Sequence, residues 1–96
     1  MEPEIFTYRS FLDIEHFIIP CFQRRLDHNI SREICLHIRQ QRELKKFPYL
    51  GCIDVVKYGR EFYIIDGQHR FHAYKMDYEL NELETIINVM IYYVNS

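Results

Sequence analysis

The chain has no tryptophan, no Cys-x-x-Cys pair and no apolar run long enough to span a bilayer. It also has no basic excess. A paired-cysteine zinc knuckle or dithiol redox centre is disfavoured, because both need two cysteines a turn apart. A transmembrane helix is excluded on length, and no basic, apolar and small-residue leader opens the sequence. The expectation is a soluble intracellular protein, in cytoplasm or nucleus, with no membrane partner. Net charge is −2, so no global positive field draws in DNA, and polyanion binding would have to come from a local cluster. Low-complexity segments, repeats and Gly/Ser/Pro-rich linkers are missing, so the 96 residues read as a single domain, 1–96.

A composition that is 48% hydrophobic and 27% charged supports a folded core. Aromatic content is supplied by eight Tyr and seven Phe alone, and so many tyrosines imply half-buried rings with hydroxyls near water or a partner. Cys21, Cys35 and Cys52 read as reduced, mostly buried small side chains. Cys21, among polar motif residues, is the candidate for reactivity.

Ser10-Phe11-Leu12-Asp13 has the form of a capping box and predicts a short helix to about His16. Phe17-Ile18-Ile19, stopped by Pro20, predicts an extended segment. Ile30, Ile34 and Ile38, broadened by Cys35, predict the apolar stripe of a helix over about 31–44, capped by Asn29 or Ser31 and ended before Pro48. His37 lies at the edge of that stripe. Arg32, Arg39, Arg42, Lys45 and Lys46 form a basic face, either solvated or turned to nucleic acid. Residues 52–58 and 61–65 flank Gly59-Arg60 as a hairpin. A helix follows from Gln68 to about Tyr78 with Phe71, Tyr74 and Tyr78 on one side, then a polar helical turn over 81–84 and a closing strand over 88–94. The expected class is α+β: a small mixed sheet with a central hairpin and three helices.

Asp66-Gly67-Gln68-His69-Arg70 stands between the second hairpin strand and a helix, an arrangement suited to phosphate. Gly67 permits unusual backbone angles and close approach of an anion. The amides of Gln68, His69 and Arg70 are then the first donors of a helix. Arg70 adds a fixed charge of bidentate geometry, and His69 can donate a hydrogen bond or move a proton. Asp66 can hold the turn or direct Mg²⁺ or water, and Asp27 and Glu61 are further carboxylates for that role. His72 is either a second site histidine or a helix-packing residue. A second cluster, Ile19-Pro20-Cys21-Phe22-Gln23-Arg24-Arg25, delivers Gln23 and Arg24 from a Pro-fixed extended segment.

The two motifs in this order resemble the ParB/sulfiredoxin superfamily. They are most similar to the IPxYQR…DGQQR pair of GmrSD-type restriction enzymes and to the DGQHR-domain proteins of DNA modification systems. The resemblance covers about residues 17–94. It implies a compact ParB/sulfiredoxin-like domain that binds an NTP, with Mg²⁺-dependent hydrolysis or phosphotransfer in which His69 and Asp66 are catalytic. Gln23, Arg24, Gly67, Gln68, His69 and Arg70 are the implied nucleotide and phosphate contacts. Phe22 replaces the family's tyrosine. Gln68 stands where sulfiredoxin carries its catalytic cysteine, so sulfinic-acid reduction is not implied. The implied partners are a nucleotide, then DNA or a larger DNA-processing protein. Tyr92-Tyr93 adds a homodimer to these expectations. The alternatives are a non-catalytic nucleotide- or DNA-responsive module and a ParB-like nuclease.

Overall fold

The computed structural model describes residues 2–21, 25–45 and 51–94. Its elements are β1 (Glu4–Tyr8), a 3₁₀ turn (Phe11–Asp13), α1 (His28–Glu43), β2 (Cys52–Tyr58), β3 (Glu61–Asp66), α2 (Gln68–Asn81) and β4 (Ile87–Tyr93). The sheet runs β1-β4-β2-β3. β1 and β4 are antiparallel, as are β2 and β3, while β2 and β4 are parallel. The architecture is the expected α+β with a mixed sheet and a hairpin, but the described residues form two α-helices and one 3₁₀ turn rather than three helices. Among the described residues no helix is long and apolar enough to cross a membrane.

The alternating residues Ile53 and Val55 of β2, Ile64 of β3 and Ile87, Val89 and Ile91 of β4 are all buried, which is the period-two pattern of a sheet with one face in the core. Phe11, Phe17 and Phe71 meet over that face, with Phe11 5.1 Å and Phe17 6.4 Å from Phe71 between ring centroids. Gly59, at φ +61, makes the two-residue hairpin turn. The extended segment around Ile18 adds one rung beside β3. Ile18 N–H donates to Phe62 O, and Ile64 N–H donates to Ile18 O, both at 2.8 Å.

Several boundaries differ from the sequence expectation for identifiable reasons. Strand β1 was not expected. It is a short edge strand with exposed Glu4, Ile5, Phe6 and Thr7, and its order comes from pairing with β4 rather than from its own pattern. The Ser10 box produces only the 3₁₀ turn, in which the Ser10 hydroxyl accepts from Leu12 N–H at 3.2 Å. α1 starts earlier than expected because Asp27 is the cap, its Oδ1 accepting Asn29 N–H at 2.9 Å. The helical turn expected over 81–84 does not form: Asn81 is the last residue of α2 and residues 82–84 are not helical. Glu82 takes a left-handed conformation there, and its N–H donates to Tyr78 O at 2.8 Å.

The face of α1 is also rotated from the expected one. Its buried line is Ser31, Cys35 and Ile38, whereas Ile34 is half-buried and Ile30 is 43% exposed. Of the cysteines, Cys35 is buried, Cys52 half-buried and Cys21 exposed; all three are free. Arg42 leaves the expected basic face: it forms a bidentate pair with Asp77 of α2 at 2.8 and 2.7 Å and also donates to Glu84 O. Asp77 is 1% exposed and takes a further bond from Asn81 Nδ2 at 3.1 Å. Lys46 and Pro48 lie outside the described residues.

Breaking this pair leaves a charge without compensation in the interface between the helices. Asp77→Ala is expected to lower the unfolding free energy by about 3 kcal/mol in urea titration. The double variant Arg42→Met/Asp77→Leu is expected to recover most of that loss, because neither charge then remains.

Candidate functional site

The candidate site is built where β3 passes into α2. Asp66 Oδ1 accepts the N–H of Gly67 at 2.9 Å, which folds the Asp-Gly step back on itself. Gly67 is the N-cap of α2 and sits at φ +90, ψ 23. A Cβ there would stand 3.2 Å from Ile53 Cα and 3.5 Å from Cys52 O. Both the left-handed backbone and the close approach to β2 therefore favour glycine. The first bond within the helix is Phe71 N–H to Gly67 O at 2.9 Å. The N–H groups of residues 68–70 thus fall in the stretch that a helix does not satisfy internally, at its positive end.

The side chains of this turn reach in different directions. Gln68 is 7% exposed and faces inward. Arg70 lies across the start of β2, its Nη1 donating to Cys52 O at 3.2 Å. Gly51, at φ +79, lies beside it, where an added Cβ would be in ordinary contact 3.6 Å from the guanidinium. His69 Nε2 accepts the backbone N–H of Asp27 at 3.0 Å. As an acceptor that nitrogen carries no proton, so the neutral ring keeps its proton on Nδ1. Only Nδ1 is left to donate to a ligand, and His69 also ties the start of α2 to the start of α1.

A pocket of about 540 Å³ opens here, lined by residues 66–70 together with Ile30 and Ile34 of α1 and Ile65 of β3. That volume is within the ordinary range for a small-molecule site, roughly 300–1,000 Å³. His72 is half-buried and is not part of that lining. Burial, followed by the nearby Lys75, His28 and His69, holds its pKa below the ordinary 6.5, which keeps it neutral.

One functional candidate was missed in the sequence. Asp54 of β2 is the Cα partner of Asp66 across the hairpin, at a bulge that leaves Ile65 as the extra residue of β3. Its carboxyl is pushed up from 3.8 by burial first and by Asp66 second, while Arg70 pulls it down. The available signal was a lone acid in the otherwise β-branched run Ile53-Asp54-Val55-Val56. The other carboxylates considered for this role are engaged in other bonds. Asp27 is committed to its helix cap, and Glu61 sits at the hairpin end with the Tyr63 hydroxyl donating to it.

No group of three or more His, Cys, Asp or Glu among the described residues is arranged to hold a metal by itself. Two neighbouring carboxylates fit Mg²⁺ only when phosphate oxygens and water complete its shell, which is the usual habit of that ion. Gln23 and Arg24 of the first motif, with Phe22, lie outside the described residues.

The raised pKa of Asp54 has a defined consequence for stability. The folded chain binds this proton more readily than the unfolded chain, so stability falls as pH rises above 3.8 through the raised value. Asp54→Asn removes that loss. Thermal melts are expected to show Tm at pH 7 higher by ~2 °C, and unchanged below pH 3.5, for a solvent-screened group.

Neither a protein-family model nor a curated protein matches the chain. Among solved structures, the chain is similar to the crystal structure of sulfiredoxin from Arabidopsis thaliana. The TM-score is 0.60, with 24% sequence identity over 94% of this chain and 88% of that one. At that identity the likeness is one of fold, and the chain has a sulfiredoxin-like α+β fold.

Proposed function

We propose that this domain binds the phosphates of a nucleoside triphosphate at the 66–70 turn. The observation that carries this reading is the Gly67-capped start of α2 opening, with Arg70, into the pocket of about 540 Å³. Backbone donors at a helix start and a guanidinium in one cavity are suited to an anion of high charge. The sulfiredoxin-like fold and the paired motifs support the same reading, as does the resemblance to DGQHR-type and GmrSD-type nucleotide-handling domains. In this reading Gln23 and Arg24 supply contacts from the first motif, and Gly67, Gln68, His69 and Arg70 from the second.

Binding comes first and hydrolysis second. Asp66, with Asp54 opposite it, is the proposed carboxylate pair for Mg²⁺ that enters with the nucleotide. The ion would neutralise phosphate charge as the terminal group departs. Asp66 also holds Gly67, so its charge and its structural bond are separable. His69 donates through Nδ1–H to a phosphate oxygen while Nε2 stays on the Asp27 amide. A responsive binding module is the second reading. It is favoured by His69 itself, because ligand contact at Nδ1 is then linked through the ring to the cap of α1. DNA contact through the α1 basic face is a weaker extension, since Arg42 is occupied by Asp77.

Calorimetry across the four NTPs, with and without Mg²⁺, is expected to show saturable binding to the wild-type chain. Arg70→Ala is expected to weaken it at least a hundredfold, about 3 kcal/mol for a charge-assisted pair. Absence of heat with all four nucleotides contradicts the reading. Asp66→Asn keeps an oxygen for Gly67 N–H but removes the charge. If the domain hydrolyses its ligand, this variant should still bind nucleotide without Mg²⁺ and lose phosphate release in a steady-state assay.

A further inference from the structure

α1 carries one isoleucine, Ile30, that folding does not account for, and a second, Ile34, that only partly meets the core. The helix buries Ser31, Cys35 and Ile38 against the rest of the molecule. Ile30, at 43% exposure, lies about 100° around the helix from Ser31. Ile34, one turn on from Ile30, is half-buried at the border of the core. β-Branched side chains are not favoured at exposed helical positions. On the facing side, the bulge at Asp54 sets Ile65, 42% exposed, as the extra residue of β3 just before the anion turn. The three isoleucines line one pocket, the same one that contains residues 66–70. The cavity is therefore apolar along the isoleucines and anion-seeking at the helix start.

We infer that Ile30, Ile34 and Ile65 form the wall for the base of the nucleotide, so that the ligand is selected as a nucleoside polyphosphate over a bare polyphosphate. The inference rests on the phosphate reading of the 66–70 turn and adds the half of the ligand that the turn does not hold. Three branched side chains beside the turn offer a short apolar surface, suited to a flat ring held by its face. Such a wall reads area rather than hydrogen-bonding edges. It favours the larger purines over pyrimidines and separates adenine from guanine only weakly. A long alkyl or isoprenoid pyrophosphate would need apolar lining that continues past these residues.

The test compares Mg²⁺-ATP, Mg²⁺-CTP and Mg²⁺-tripolyphosphate by calorimetry on the full chain. Wild type is expected to bind ATP at least tenfold more tightly than tripolyphosphate, with CTP between them. Ile30→Ser, at a position outside the buried face of α1, should reduce the ATP advantage to within threefold while tripolyphosphate affinity stays unchanged. Ile30→Trp, which fills the pocket instead of emptying it, should have the same selectivity outcome. Agreement between the two separates base contact from a general loss of fold, which far-UV circular dichroism checks for both. If tripolyphosphate binds as tightly as ATP, or either variant keeps the full ATP advantage, the base wall is overturned and the phosphate site stands. If none of the three ligands binds, the phosphate reading fails and this inference falls with it.

Discussion

Gly67 has to turn left-handed at the moment β3 becomes α2, and it has to do so against the backbone of Ile53. A side chain is disfavoured on both counts. Because that step is pressed onto β2, the start of α2 has one place to go, and the side chains of its first turn inherit their directions from it. Arg70 reaches over Gly51 to Cys52, His69 reaches α1, and Gln68 turns inward. The anion-seeking geometry is therefore a product of close backbone packing between two strands and a helix.

The same step settles where α1 lies. Near its start α1 is tied to α2 by the hydrogen bond from the Asp27 amide to His69, and near its end by the pair of Arg42 with Asp77. Two ties more than three turns apart along α1 restrain both its position and its rotation. That rotation turns Ser31, Cys35 and Ile38 inward and leaves Ile30 and Ile34 on the pocket side. Residues that hold the fold thus decide which residues are available to a ligand. His69 belongs to both groups, since one ring nitrogen serves the fold and the other faces outward chemistry.

Much of this was legible in the sequence because it is local. The hairpin about Gly59, the glycine turn at Asp66-Gly67 and the Phe71-Tyr74-Tyr78 stripe each depend on neighbouring residues, and each is found where the pattern placed it. What was not legible depends on distant partners. β1 is recognisable only through β4. The isoleucine spacing identified a helix but could not say that its core line runs through Ser31, because rotation is set by α2. Arg42 looked like part of a solvated basic face until Asp77, 35 residues away, came to meet it. Asp54 gains its interest from lying opposite Asp66, and a single acid in a strand does not announce its cross-strand neighbour.

The central claim is that the amides at the start of α2 receive phosphate. It is tested most directly by following backbone ¹⁵N–¹H resonances while Mg²⁺-ATP is added to the full chain. The account predicts saturable shifts largest at Gly67, Gln68, His69 and Arg70, with Ile30, Ile34 and Ile65 moving on the same isotherm. Asp27 should shift with them through its bond to His69. Saturable shifts that spare residues 67–70, or no shifts at millimolar nucleotide, would contradict it.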